Sequence, residues 1–360
     1  MSEKAPAICV LRLSALGDCI NAFGLIGGLK RTYPQLDLLW VLDQRFASLF
    51  CDEHDHDLVP MIKLDFKQGT LHAKRSLKQA LAERDQPFDA LLNMQTSIKA
   101  SVCSLAIKAN KKYGYDAQRS REGQRFVINE TVPSPENPHV LAGFMAFAET
   151  CGYPIAEPVW DFQLDPYVLD KAKCIVGHEK VFALCPCSAN ESKNWTLEGY
   201  VELCLYAHSQ GMCVVLLGGN KANEINLCNA IAEQCHSKSQ RHGATPFELI
   251  NLCGKTNLRE LAAFLSIAKI VVAPDSGSMH LASALGTPVI GLFARHDEQR
   301  VGPWNFMDLN VSVYHKLAQN ELKGKPIPWR YRVRTADAMS HISPDQVISA
   351  FDRALERYRI

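Results

Sequence analysis

The sequence predicts an α/β protein built as two doubly wound domains, and three observations carry that prediction. Short β-branched apolar runs alternate with amphipathic helical patterns along the chain. The alternation pauses near residues 157–178 and then restarts. The length, 360 residues, suits about two domains at roughly 150 residues each. Strands that alternate with helices imply parallel sheets covered on both faces. The domains are expected at residues 1–165 and 166–343. A final helix, 344–360, is expected to pack back on the N-terminal domain.

In the first domain, residues 8–13, 36–42, 59–62 and 88–94 read as strands. Helical periodicity covers 20–32, 71–84 and 98–109. The basic stretch 111–125 gives few regular signals, and 139–150 reads as a helix. Pro158 and Pro166 flank a connector. In the second domain the strands are 181–185, 212–217, 249–252, 270–273 and 289–293. Helices fall at 197–209, 222–234, 258–268 and 278–285. The last helix opens with Ser343 as N-cap and Pro344 at the first helical position. Two such sheets facing one another would leave a cleft at their strand C-terminal ends, where doubly wound sheets bind ligands. That favours an enzyme with a bipartite substrate.

Composition removes several classes. Apolar residues make up 47% and charged residues 21%, which excludes a disordered chain. The net charge of +1 argues against a dedicated nucleic-acid binder. The cysteines form no Cys-x-x-Cys pair, and Cys185 and Cys187 have no matching second pair, so zinc is not expected. Scattered thiols in apolar runs suit a reducing cytoplasm. The N-terminus lacks a long apolar region, and no uninterrupted stretch is long enough to span a bilayer.

Two strand-to-helix turns carry the chemistry. The first is RLSALGD, from Arg12 through Ser14 and Gly17 to Asp18. Asp18 reads either as a helix N-cap or as a general base aimed from a rigid element at a hydroxyl. The second is APDSGSMHL, from Ala273 to Leu281. Its short polar residues open a helix, whose free N–H groups and positive dipole end suit a diphosphate. An ordinary capped turn is the plainer alternative, and His280 reads as a packed structural histidine. No G-x-G-x-x-G follows the first strand, which disfavours a nucleotide-binding oxidoreductase. The cluster of Asp, Glu and His at 52–57 reads as a solvated loop, and no metal site is expected.

These two turns, the second extended through GTPVIGLFARHDEQRVGPW to Trp304, resemble glycosyltransferase family 9, the heptosyltransferases of lipopolysaccharide core synthesis. SANESKNW (188–195) resembles the family's donor-binding loop, and LLGGNKANE (216–224) its second-strand loop. LCGKTNLRELAAFLSIAKIVVAPDSG is typical of the family. KKYGYDAQRSREGQ with HVLAGFMAFAE resembles the heptosyltransferase I branch, which adds the first heptose.

The resemblance implies a GT-B fold of two facing Rossmann-like domains. It implies an ADP-L-glycero-D-manno-heptose donor, a Kdo-lipid A acceptor, and inverting transfer without a metal or cofactor. Asp18 matches the catalytic aspartate. Ser188, Lys193, Glu224, Asp275, Ser276, Gly277, Ser278 and Met279 match donor-binding positions. Ser188-Ala189 stands where some members have Thr-Thr, which removes one hydroxyl. Ser276 replaces the usual Thr and keeps it.

Residues 99–125 carry seven basic and two acidic side chains in a nearly neutral protein. With a phosphorylated, carboxylated glycolipid as acceptor, Ser14, Gly17, Lys99, Arg119 and Arg121 are expected to bind it. The basic segment 323–334 is assigned to the inner-leaflet membrane surface or to the donor-domain surface. The enzyme is thus expected in the cytoplasm, peripheral to the inner membrane, with no nucleic-acid partner. The alternatives are a later core heptosyltransferase, an enzyme using another nucleotide-sugar, and a non-catalytic binding protein of the same fold.

Overall fold

The structure is a computed structural model that describes residues 5–241 and 247–360. The chain divides into two compact units, Met1–Gln163 and Leu164–Ile360.

The first unit holds strands β1 (Ala7–Leu11), β2 (Asp37–Asp43), β3 (Met61–Leu64), β4 (Phe88–Asn93), β5 (Ala109–Tyr115) and β6 (Glu130–Val132). Its helices are α1 (Leu16–Thr32), α2 (Gln44–Ala47), α3 (Thr70–Ala80), α4 (Ile98–Ser104) and α5 (Val140–Thr150). The strands pair in parallel in the order β3-β2-β1-β4-β5-β6. β1 is apolar at all five positions because helices cover both of its faces. Phe23, Trp40, Phe50 and Phe162 stack on one side of the sheet. On the other side Leu11, Leu77, Leu91, Cys103 and Ile107 share a core. The glycines of α1 allow close approach: Gly24 lies under the Trp160 ring, whose Nε1 donates to Ile20 O at 2.7 Å.

β5 and β6 were not read from the sequence. β5 carries Asn110, Lys111 and Lys112 on its first half, where it is exposed, and becomes buried at Tyr113 to Tyr115.

The second unit holds β7 (Val181–Leu184), β8 (Cys213–Leu216), β9 (Leu249–Asn251), β10 (Ile270–Pro274), β11 (Val289–Phe293) and β12 (Val311–Ser312). Its helices are α6 (Pro166–Val176), α7 (Leu197–Ser209), α8 (Ala222–Arg241), α9 (Leu258–Ile267), α10 (Gly277–Ala284), α11 (Glu298–Val301), α12 (Tyr314–Glu321) and α13 (Pro344–Tyr358). The parallel order is β12-β11-β10-β7-β8-β9. Numbered within each unit, both sheets follow the order 3-2-1-4-5-6. Each therefore reverses direction between its first and fourth strands, the place where such sheets bind ligands.

α13 groups with the second unit. Its buried residues Val347, Ala350, Phe351 and Ala354 form one stripe at helical spacing. That stripe meets α7 and the sheet: Phe351 sits edge-on to Phe182, and Tyr206 donates to Asp352.

All thirteen cysteines are free thiols, and Cys174 alone is exposed. Among the described residues no helix is long and apolar enough to cross a membrane.

Candidate active site

In the first unit the turn between β1 and α1 lies beside the turn that follows β4. Gln95, after β4, stitches the two together. Its Oε1 accepts from the backbone N–H of Leu13 (2.7 Å) and Ser14 (3.2 Å). Its Nε2 donates to Ser97 Oγ (2.9 Å) and Ser14 Oγ (3.3 Å). Gln124 holds this framework from outside by donating to Asn93 O and Gln95 O. Ser14 is thereby fixed and half-buried, and Gly17 is buried in the first turn of α1.

Asp18 is not the N-cap. Ala15 holds that position, and Asp18, three residues on, accepts from the Ala15 N–H at 3.4 Å. The Arg12 guanidinium binds the same Oδ2, donates to Met94 O and lies over the Phe144 ring. Every hydrogen bond that the structure gives Asp18 uses Oδ2. Oδ1 has no hydrogen-bond partner among the described residues, and the side chain is 31% exposed. Arg12, which sequence reasoning passed over, orients the Asp18 carboxylate.

The predicted acceptor cations separate. Lys99 is exposed at the start of α4, with its ammonium over the Phe66 ring. Arg121 is exposed and donates only to the neighbouring Ser120 O. Arg119 corrects the sequence reading, because it is 2% exposed. Its Nε donates to Asp116 Oδ2 (2.8 Å) and its Nη2 to Val132 O, with the guanidinium over the Tyr115 ring. It pins the loop to β6 and offers no free fork to a ligand.

In the second unit the corresponding edge gathers three side chains on Asp275, which follows β10. Lys193 Nζ donates to Asp275 O at 2.7 Å and to its Oδ2 at 3.1 Å. Ser188 Oγ donates to Asp275 O at 3.1 Å. His296 Nδ1 lies 2.6 Å from Oδ2. Burial alone would raise the Asp275 pKa. The hydrogen bond from His296 and the charges of Lys193, His296 and His280 overcome it and hold the carboxyl well below the usual range. His296 was also missed. Its signal was its place, directly after β11, which pairs with β10.

α10 begins at the same edge. Ser276 is its N-cap but makes no side-chain capping bond, and its buried Oγ has no partner. A buried hydroxyl without a partner beside free helix N–H groups is a place for a ligand oxygen. Gly277 and Ser278 are half-buried in the first turn. Met279 is fully buried and packs near Gly291, so its side chain belongs to the core. Glu224 stands apart from the Asp275 cluster. On the first turn of α8, its Oε2 accepts from Gly219 N at 2.7 Å, closing the glycine loop after β8. Arg295 locks the surroundings by donating to Ser192 O, Val333 O and Ala336 O.

The acidic stretch at 52–57 forms a tight exposed turn around Asp52, which accepts from the N–H groups of His54 and His56. A different trio, Asp297, Glu298 and His315, brings three ligand atoms within 4.8 Å. His315 Nε2 lies 3.4 Å from Asp297 Oδ1 and 3.6 Å from Glu298 Oε1, and the side chain is 42% exposed.

The sequence profile of glycosyltransferase family 9 (heptosyltransferase) matches residues 74–327. The chain belongs to glycosyltransferase family 9. It is 37% identical to lipopolysaccharide core heptosyltransferase OpsX of Haemophilus influenzae, over 96% of each chain. It is 29% identical to lipooligosaccharide heptosyltransferase 2 of the same organism, over 82% of this chain and 85% of that one. The family 9 glycosyltransferase of Veillonella parvula superposes with a TM-score of 0.77, covering 99% of both chains at 19% identity. Escherichia coli ADP-heptose lps heptosyltransferase II gives 0.71 at 18% identity, covering 98% of this chain and all of that one. These structures carry the two-domain GT-B architecture, and the two parallel sheets described above are that fold.

Proposed function

We propose that the protein is an inverting heptosyltransferase of lipopolysaccharide inner-core synthesis, moving heptose from ADP-L-glycero-D-manno-heptose to a Kdo sugar of lipid A. The observation that carries the reading is the anion site at α10. An unpartnered Ser276 hydroxyl, the free N–H groups of residues 277–279 and the Lys193 ammonium converge at one sheet edge. The name of the OpsX relative supports lipopolysaccharide core as the substrate class.

Asp18 Oδ1 takes the proton of the acceptor hydroxyl. The hydroxyl oxygen attacks the anomeric carbon, and the bond from that carbon to the β-phosphate oxygen breaks. ADP leaves with the electron pair. Its growing charge is met by Lys193 and the α10 N–H groups, a role that needs no metal. Asp275, itself held by Ser188, fixes Lys193 and reaches the heptose hydroxyls, and Glu224 orders the loop beside the nucleotide. Ser14, Gly17, Lys99 and Arg121 face the acid groups of the acceptor. The protein acts in the cytoplasm at the inner membrane, where its lipid-linked acceptor lies.

The test is transfer from ADP-heptose to de-acylated Kdo-lipid A, followed by mass. A product heavier by one heptose is expected. Transfer only to an acceptor that already bears heptose would assign a later core step, and transfer only from another nucleotide-sugar would replace the donor. No transfer to any acceptor, with ADP still bound, would make the protein a binding module.

A further inference from the structure

We propose that the α3–α4 face of the first unit docks on an anionic lipid bilayer. This deepens the proposed function and rests on it for the reason the protein visits a membrane. The surface itself stands on its own geometry.

α3 sets Leu71, Lys74, Arg75 and Lys78 at i, i+3, i+4 and i+7, which is one stripe. Its other side, Ala73 and Leu77, is buried in the core with Cys103 and Ile107. Ile98 opens α4 and Leu105 is its C-cap. Two helical turns separate them, so they share a side. Leu71 is 64% exposed, Ile98 61% and Leu105 57%. With Phe126, on the short turn that packs against α4, they make four of the seven exposed large apolar side chains among the described residues. That concentration on neighbouring elements is not the scatter expected of an ordinary surface.

A groove of about 550 Å³ runs along this face, and no acidic residue lines it. Leu71, Lys74, Arg75, Lys78, Leu105 and Lys108 form half of its wall. Arg84, also in the groove, is engaged by Asp37 and the Phe88 ring. Among the described residues the other four cations carry no ion pair. Unpaired cations interleaved with exposed leucines match a layer of lipid phosphates over acyl chains. A second copy of this face would meet it with the same charge and be repelled.

The basic segment 323–334 is a poorer candidate for the same role. Its exposed Trp329 lies between the Arg300 and Arg330 guanidinium groups, and Tyr331 donates to Glu321 at 2.6 Å. Its aromatic rings are already occupied.

The experiment is flotation of the full chain with vesicles of phosphatidylglycerol and phosphatidylethanolamine, against vesicles of phosphatidylcholine. Binding to the anionic vesicles alone, weakening with salt, is expected. K74E/R75E/K78E lowers that binding about 100-fold or more, at roughly fivefold per lost cation. L71E/L105E lowers it as well. Both variants transfer heptose to the de-acylated, water-soluble acceptor at the wild-type rate, which shows that they are folded. K323E/K325E binds vesicles like wild type. Wild type that ignores anionic vesicles, or face variants that still bind them, would overturn the docking face, as would loss of binding in K323E/K325E. A dimer that L71E/L105E dissociates in sedimentation would replace the membrane with a second copy. Vesicle binding lost in the face variants of a chain that transfers no heptose would keep the docking face and remove only the proposed function.

Discussion

The two sheets share one strand order, yet their two aspartates live in opposite surroundings. Asp18 follows the first strand of its sheet, is 31% exposed, and is held through a single oxygen by Arg12. Asp275 follows the fourth strand of its sheet, is 14% exposed, and is contacted by Lys193 and His296 through its carboxylate and by Lys193 and Ser188 through its carbonyl. Both carboxylates are held through Oδ2 alone, but Asp18 is the more exposed and meets one cation, whereas Asp275 is more buried and is shared by Lys193 and His296. The difference separates two tasks that sequence alone leaves looking alike. An open carboxylate can accept a proton, whereas an ionised, buried one fixes the groups around it.

The largest expected effect tests the more exposed carboxylate. Asp18→Asn keeps the shape and the Ala15 cap but removes the base. Transfer should fall by about 10²–10⁴-fold, while ADP affinity measured by calorimetry stays near wild type. Turnover within a few-fold of wild type would erase the distinction between the two aspartates. The next effect tests the more buried one. Lys193→Ala removes the cation on Asp275 that the proposed function sets against the diphosphate, and donor affinity should weaken roughly 10- to 100-fold, as for loss of a charge-assisted bond. Unchanged donor affinity would place the diphosphate elsewhere.

A smaller effect is expected at His296. His296 shares Asp275 Oδ2 with Lys193. His296→Ala should cut kcat/KM by about tenfold. His296→Asn, whose amide can stand in for Nδ1, should recover most of it. Equal losses in both variants would point to a role other than the hydrogen bond. The smallest effect is in acid. The Asp275 carboxyl is depressed on folding, so its stabilising contribution is present above the unfolded value near 3.8 and is lost as pH falls toward the folded value. Acid titration of wild type against Asp275→Asn should show the gap between them closing below about pH 4. A constant gap would mean that ionisation of Asp275 does not stabilise the fold.

Where sequence reading succeeded, the signal was local. Apolar runs such as β1 and β10 are continuous because both faces are covered, and short polar turns follow them. Asp18 and Asp275 were legible because each ends such a run. α6 was missed although its signs were present: Asp165 caps it, Pro166 opens it, and Gly177 closes it in the left-handed region. β5 was hidden because its exposed half carries lysines. The remaining misses were matters of partner. Arg119 sits in a basic stretch, and composition cannot tell that Asp116 and Val132 bury it. Arg12 and His296 gain their meaning from residues that folding brings beside them.

The free thiols give the chain a built-in clock. Cys9, Cys19 and Cys103 lie buried in the first unit, and Cys185, Cys204, Cys213 and Cys235 in the second. A thiol-specific label applied to the native protein should mark Cys174 first, giving a single attachment point for a dye or spin probe. Under mild denaturant, the order in which further label masses appear on peptides from each half would time the opening of each sheet separately, without any engineered cysteine.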